Sequence, residues 1–101
     1  MVELIIFTQP GCTHCEEVKP EMDYIFGNFS GVTHIDLNPN SSSYKNDITL
    51  FQQYGGFGTP SGVIIENGKA TLYGGQENFK NNYLATQYQN AITRDLSLIH
   101  I

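Results

Sequence analysis

Phe7-Thr8-Gln9-Pro10-Gly11-Cys12-Thr13-His14-Cys15 is the stretch on which the reading of this chain turns. It ends an apolar run, passes through a Pro-Gly turn and opens a segment of helical period, with two cysteines at the junction. Upstream, residues 2–8 form a β-branched and aromatic run, the pattern of a strand buried on both faces. Downstream, Val18, Met22, Ile25, Phe26 and Phe29 recur at three- and four-residue steps, which predicts one amphipathic helix from Cys12 to about Phe29. Pro20 falls inside that helix, where its missing N–H is expected to bend the axis.

The junction is where two thiols can do chemistry. A cysteine at a helix start faces free backbone N–H groups and the positive end of the macrodipole, and both favour a thiolate. Cys15, one turn on, lies on the same side and can close a disulfide with Cys12. Cys12 is nearer the loop, so it is expected to be the nucleophile and Cys15 the resolving thiol. His14 between them would, as an imidazolium, stabilise a neighbouring thiolate; a solvated helix residue is the bland alternative. Glu16 and Glu17 act in the opposite sense. Half of a zinc site is a second reading of the pair, but it needs two more ligands. The chain has no further cysteine, and His34 and His100 are not spaced as a ligand pair, so no metal is expected. A purely structural disulfide across so short a loop would constrain little of the unfolded chain.

Working outward, Val32 to Leu37 reads as a second strand, and Tyr44 to Tyr54 as a helix ended by Gly55-Gly56. Asn38 to Ser43 is a polar loop. Ser61 to Glu66 and Lys69 to Tyr73 are two strands joined by Asn67-Gly68, a strong hairpin signal. A last helix is expected from near Gln76 or Glu77 to about Ile92. This order predicts an α/β fold: a right-handed crossover between two parallel strands, then a hairpin that extends the sheet antiparallel. The result is a four-stranded mixed sheet flanked by helices on both faces. His34 is expected to be a surface or satisfied residue, and Tyr24, Tyr54, Phe57 and Tyr73 to be core or groove-lining. The apolar tail Leu96 to Ile101 could complete the packing of the last helix or contact another subunit.

The 101 residues make one domain, 1–101, expected to be a monomer. A net charge of −5, with only five Lys and Arg, argues against a nucleic-acid partner. No apolar run approaches the roughly 18 residues of a membrane span. The N-terminus has no basic region, apolar core or small-residue cleavage site, which points to the cytoplasm. There a lone cysteine pair is usually catalytic, redox-sensing or metal-binding.

With these residues in view, the chain resembles the thioredoxin superfamily along nearly its whole length. Phe7 to Cys15 is similar to the strand-to-dithiol segment of glutaredoxins, and Pro20 to the helix-kinking proline of thioredoxins. Asp36-Leu37-Asn38-Pro39 also looks thioredoxin-like. Thr59-Pro60 stands where the family keeps a cis-proline beside the dithiol; Thr59 would then offer its backbone to an extended substrate, with Gly58 and Gly62 keeping the approach clear. Gly74-Gly75-Gln76-Glu77-Asn78 resembles the glutaredoxin segment that holds the ends of glutathione. If the last helix began just after Gly75, its N–H groups would offer an anion site there, with Glu77 or Asn78 pairing the ammonium. Some positions depart from the pattern. No tryptophan precedes Cys12, Ile6 stands where thioredoxins bury a carboxylate, and Gln9 stands where glutaredoxins often have a Lys.

The resemblance implies a thioredoxin-fold dithiol–disulfide oxidoreductase, an electron-transport protein with Cys12, His14 and Cys15 at its redox centre. Gln9, Thr59, Pro60, Gly75, Gln76 and Glu77 would bind substrate. It implies disulfide-bearing protein substrates, no bound cofactor, and glutathione or a flavin-dependent reductase as electron donor. A redox-inactive binding module that keeps the fold and groove is the alternative from another class.

Overall fold

The computed structural model describes residues 1–99, and side chains as far as Leu96; His100, Ile101 and the end of the apolar tail lie outside the described residues. Strand β1, Val2–Thr8, is the apolar run and occupies a central position. It pairs in parallel with β2, Val32–Asp36, and antiparallel with β3, Ser61–Glu66. Strand β4, Lys69–Gly74, completes the order β2-β1-β3-β4. Asn67 and Gly68 both have positive φ, 53° and 80°, as the tight β3–β4 hairpin requires.

The two-residue period of β1 explains the layering. Leu4 and Ile6 enter one core with Val18, Met22, Ile25, Ile64, Leu84 and Tyr88. Ile5 and Phe7 enter a second core with Leu37, Phe51 and Val63. The first core is roofed by helices formed from residues 13–28 and 83–99, the second by α3, Tyr44–Gln53. The expected four-stranded mixed sheet with helices on both faces is the fold observed.

Two helices differ from expectation. The segment after Cys12 forms α1, Thr13–Glu17, and α2, Lys19–Asn28, separated at Val18, rather than one bent helix. Pro20 is therefore in the first turn of α2, where its missing N–H leaves no bond unmade. Continuing α1 unbroken would have driven the proline ring against the Glu16 carbonyl. Phe26, expected on the buried face, is 39% exposed and sits against His34, with ring centroids 5.8 Å apart.

The last helix, α4, spans Tyr83–Ile99, starting later and ending later than expected. Residues Gln76–Asn78 and Lys80–Asn82 form two short 3₁₀ turns instead. Asn81 and Asn82 adopt left-handed φ of 55° and 56°, which interrupts any continuous helix from Gln76. Between the turns, Phe79 is fully buried in the core.

Gly62, expected to clear the approach to the dithiol, instead faces α4. A Cβ there would overlap Leu84 Cδ2, and Leu84 is fully buried. Gly62→Ala is expected to destabilise the protein by about 1–3 kcal/mol, the usual cost of overpacking. Gly58→Ala, with nothing within 4 Å of the added carbon, should be close to neutral. Urea unfolding of the two variants checks the contrast.

Candidate active site

β1 ends at Thr8, and Gln9-Pro10-Gly11 turns the chain over the sheet edge. Gly11 has φ +70°, a conformation that costs glycine little, and it delivers Cys12 to the N-cap of α1. Cys12 and Cys15 form a disulfide, with Cα atoms 5.2 Å apart. The Cys15 N–H donates to Cys12 Sγ at 3.1 Å, and the Glu16 N–H donates to the Cys12 carbonyl at 3.2 Å. Cys12 Sγ thus plays the part that a Ser or Asp oxygen plays in an ordinary cap. Cys12 is half-buried, whereas Cys15 is only 7% exposed and belongs to the core.

The opposite wall is the turn before β3. Thr59-Pro60 is a cis peptide, and Pro60 is buried. The Thr59 hydroxyl donates to Cys12 Sγ at 3.3 Å, and the Thr59 carbonyl oxygen lies 3.5 Å from the same sulfur. Two further bonds hold this turn: Ser61 Oγ donates to the Gly58 carbonyl at 2.6 Å, and the Gly75 N–H donates to the Pro60 carbonyl at 2.9 Å. The macrodipole invoked from sequence has little length to act over, since α1 is five residues long. Two direct donors, one backbone and one hydroxyl, take its place at the sulfur.

The remaining expected site residues divide. Gln9 lines a cleft of about 320 Å³ together with Cys15, Glu16, Lys19, Met22, Thr8, His34 and Asp36. His14 is exposed and turns to Glu17, with Nδ1 3.4 Å from Oε2. Gly75 uses its N–H on Pro60, and Glu77 pairs with Lys80 at 3.0 Å. Gln76 opens a three-residue turn, so the helix N-terminus expected after Gly75 as an anion site is not there. Phe57, expected in the core or a groove, is 89% exposed. Tyr24 is about half exposed and lines a cleft with Phe29, Ala85 and Gln89, in keeping with a groove position, while Tyr54 and Tyr73 pack partly buried against the two cores.

Sequence reasoning missed the His34–Thr8–Asp36 cluster. His34 Nε2 lies 2.6 Å from Thr8 Oγ1, which donates to Asp36 Oδ1 at 3.0 Å. The signal was the parallel pairing of residues 4–8 with 32–36, which sets Thr8 directly opposite Asp36.

No family model and no curated protein matches the chain. Solved structures do match. The J-Trx1 fragment of ERdj5 aligns with a TM-score of 0.62 at 21% identity, over 89% of this chain and 41% of the fragment. The chain thus spans less than half of that fragment's length. Fasciola hepatica thioredoxin aligns with a TM-score of 0.60 at 18% identity, over 92% of this chain and 79% of that one. MTB DsbF aligns with a TM-score of 0.57 at 15% identity, over 83% of this chain and 79% of that one. At these identities the likeness establishes the fold: the chain has the thioredoxin fold.

The unequal surroundings of the two sulfurs give an ordered reactivity once the disulfide is reduced. Iodoacetamide at slightly acid pH should alkylate Cys12 well before Cys15, as read by peptide mass spectrometry. Faster labelling of Cys15 would reverse the assignment of nucleophile. Thr59→Val should lower the labelling rate of Cys12, because it removes one of the two donors to that sulfur.

Proposed function

We propose that this protein is a dithiol–disulfide oxidoreductase that exchanges disulfides with protein substrates through Cys12 and Cys15. The observation that carries the reading is Cys12 Sγ itself: disulfide-bonded to Cys15, half-buried, and met by the Cys15 N–H and the Thr59 hydroxyl. Such donors stabilise a thiolate, the nucleophilic form of cysteine.

The reaction runs in two exchanges. Cys12 thiolate attacks one sulfur of a substrate disulfide, forming a mixed disulfide and expelling the other sulfur as a thiolate. Cys15 then attacks Cys12, the 12–15 bond forms, and the second substrate sulfur leaves. Two electrons pass from the dithiol to the substrate. An extended substrate segment would lie along the Thr59 backbone, whose carbonyl is already beside Cys12.

A thiol donor then returns the disulfide to the dithiol, and we favour a flavin-dependent reductase over glutathione. The Gly75 amide is taken by Pro60 and Glu77 is ion-paired, so residues 74–78 offer glutathione fewer free groups than their pattern suggested. Gln9 lines the cleft beside Cys15 with a neutral amide, which binds a carboxylate more weakly than a lysine does. Glutathione should therefore reduce the protein slowly, and Gln9→Lys should speed it in stopped-flow measurements.

Reduction of insulin by dithiothreitol, followed by turbidity, tests the activity directly. Wild-type protein should accelerate it and Cys12→Ser should not, while Cys15→Ser should accumulate a mixed disulfide visible by mass spectrometry. No acceleration by the wild type would refute the reading. Thr59→Val should make the 12–15 disulfide harder to reduce by about 30 mV, equivalent to roughly 1.4 kcal/mol for a two-electron couple. His14→Ala should shift it less, because that ring faces Glu17.

A further inference from the structure

The cleft beside Cys15 contains a hydrogen-bonded chain that the two exchanges leave unused. Thr8 ends β1, and His34 and Asp36 lie two residues apart on the parallel neighbour β2. Thr8 and Cys15 are both buried, and all four residues line the cleft. Thr8 has one hydroxyl proton and gives it to Asp36 Oδ1 at 3.0 Å. Thr8 must therefore accept at its other contact, so the 2.6 Å bond is donated by His34 Nε2–H. In a neutral imidazole this leaves the lone pair on Nδ1, where a proton can be taken up. The Phe26 ring, 5.8 Å away between centroids, packs against the imidazole and limits its rotation.

We propose that His34 is the proton acceptor for the Cys15 thiol in the resolving step, oriented by Thr8 and Asp36. The inference rests on the reading of Cys12 and Cys15 as an exchanging pair. Cys15 is a buried thiol, and burial favours its protonated, unreactive form. Cys12 has two donors to hold a thiolate; Cys15 instead lines, with the imidazole, one cleft of about 320 Å³, a volume that admits water. The Cys15 S–H proton passes to His34 Nδ1 through that water. The resulting Cys15 thiolate attacks Cys12 Sγ, the 12–15 bond forms, and the bond from Cys12 to the substrate sulfur breaks. The substrate leaves as a thiolate, which takes a proton from solvent as His34 gives one up. Asp36 holds the Thr8 hydroxyl, and through it the His34 ring, in one orientation.

Other charged groups share the cleft. Glu16 is a competing acceptor, and Lys19, 3.7 Å from Asp23, adds a positive charge to the lining. Variants at His34 and Glu16 therefore separate the two acceptors.

The test uses reduced full-length protein mixed with 5,5′-dithiobis(2-nitrobenzoic acid) in a stopped-flow instrument. The first thionitrobenzoate released reports attack by Cys12, and the second reports resolution by Cys15. His34→Gln should leave the first phase within about twofold and slow the second by at least about a hundredfold, the low end for loss of a general base. Thr8→Val and Asp36→Asn should slow the second phase by smaller factors. Added imidazole should restore the second phase of His34→Ala without affecting the wild type. A role in packing alone would not produce that rescue. The proposal fails if His34→Gln leaves the second phase unchanged, if both phases slow together, if imidazole gives no rescue, or if Glu16→Gln has the larger effect. Absence of a first phase in the wild type would instead overturn the exchange chemistry on which the proposal rests.

Discussion

The pairing of β1 with strands on both edges places everything else in this molecule. Its register with β2 sets Thr8 against Asp36, and its register with β3 sets Phe7 against Ser61. The second pairing brings the residues just before Ser61, Thr59 and Pro60, to the same sheet end from which Gln9-Pro10-Gly11 departs. The Cys12 sulfur and the Thr59 hydroxyl, 47 residues apart, meet for that reason. Burial of Leu4, Ile6 and Phe7 makes the register hard to change, because a one-residue slip would exchange the two faces of the strand.

How much of this was legible in the sequence depends on the range of the interaction concerned. The run over residues 2–8 and the Asn67-Gly68 turn are local patterns, and the structure follows both. The position of the dithiol at a strand-to-helix junction was likewise local. The break at Val18 was half visible: Pro20 signalled a disturbance, but its placement in a first turn depends on where α1 stops. The late start of α4 was hidden for a different reason. Helical period continues through residues 76–82, yet Phe79 has to reach the core while Asn81 and Asn82 take left-handed φ. Tertiary packing overrides local propensity at that point.

The site was legible where residues adjoin and illegible where strands bring them together. Cys12, Cys15 and Thr59-Pro60 belong to short motifs. His34 looked like a surface histidine, and its exposure agrees with that description. Its bond to Thr8 needs the parallel register, which composition and periodicity do not specify. Gly62 shows the opposite error: it looked like part of the approach to the dithiol, but its missing side chain makes room for Leu84.

In the proposed exchange the two sulfurs face opposite electrostatic demands, and different elements of the fold suit each. A sulfur that starts the exchange must be ionised before substrate arrives, so it needs donors built into the frame. The α1 cap and the turn before β3 provide them, and both are held by backbone bonds that substrate need not disturb. A sulfur that finishes the exchange must stay protonated until the mixed disulfide has formed, or it would compete for the same target. Burial in the core, where Cys15 is 7% exposed, favours the protonated form of a thiol. Its ionisation then depends on a group that takes a proton and gives it back within one turnover. An imidazole, which gains and loses a proton near neutral pH, is suited to that role. On the proposal that His34 is that group, the imidazole on β2 and the sulfur on α1 line one cleft with Thr8, apart from the donors that serve Cys12.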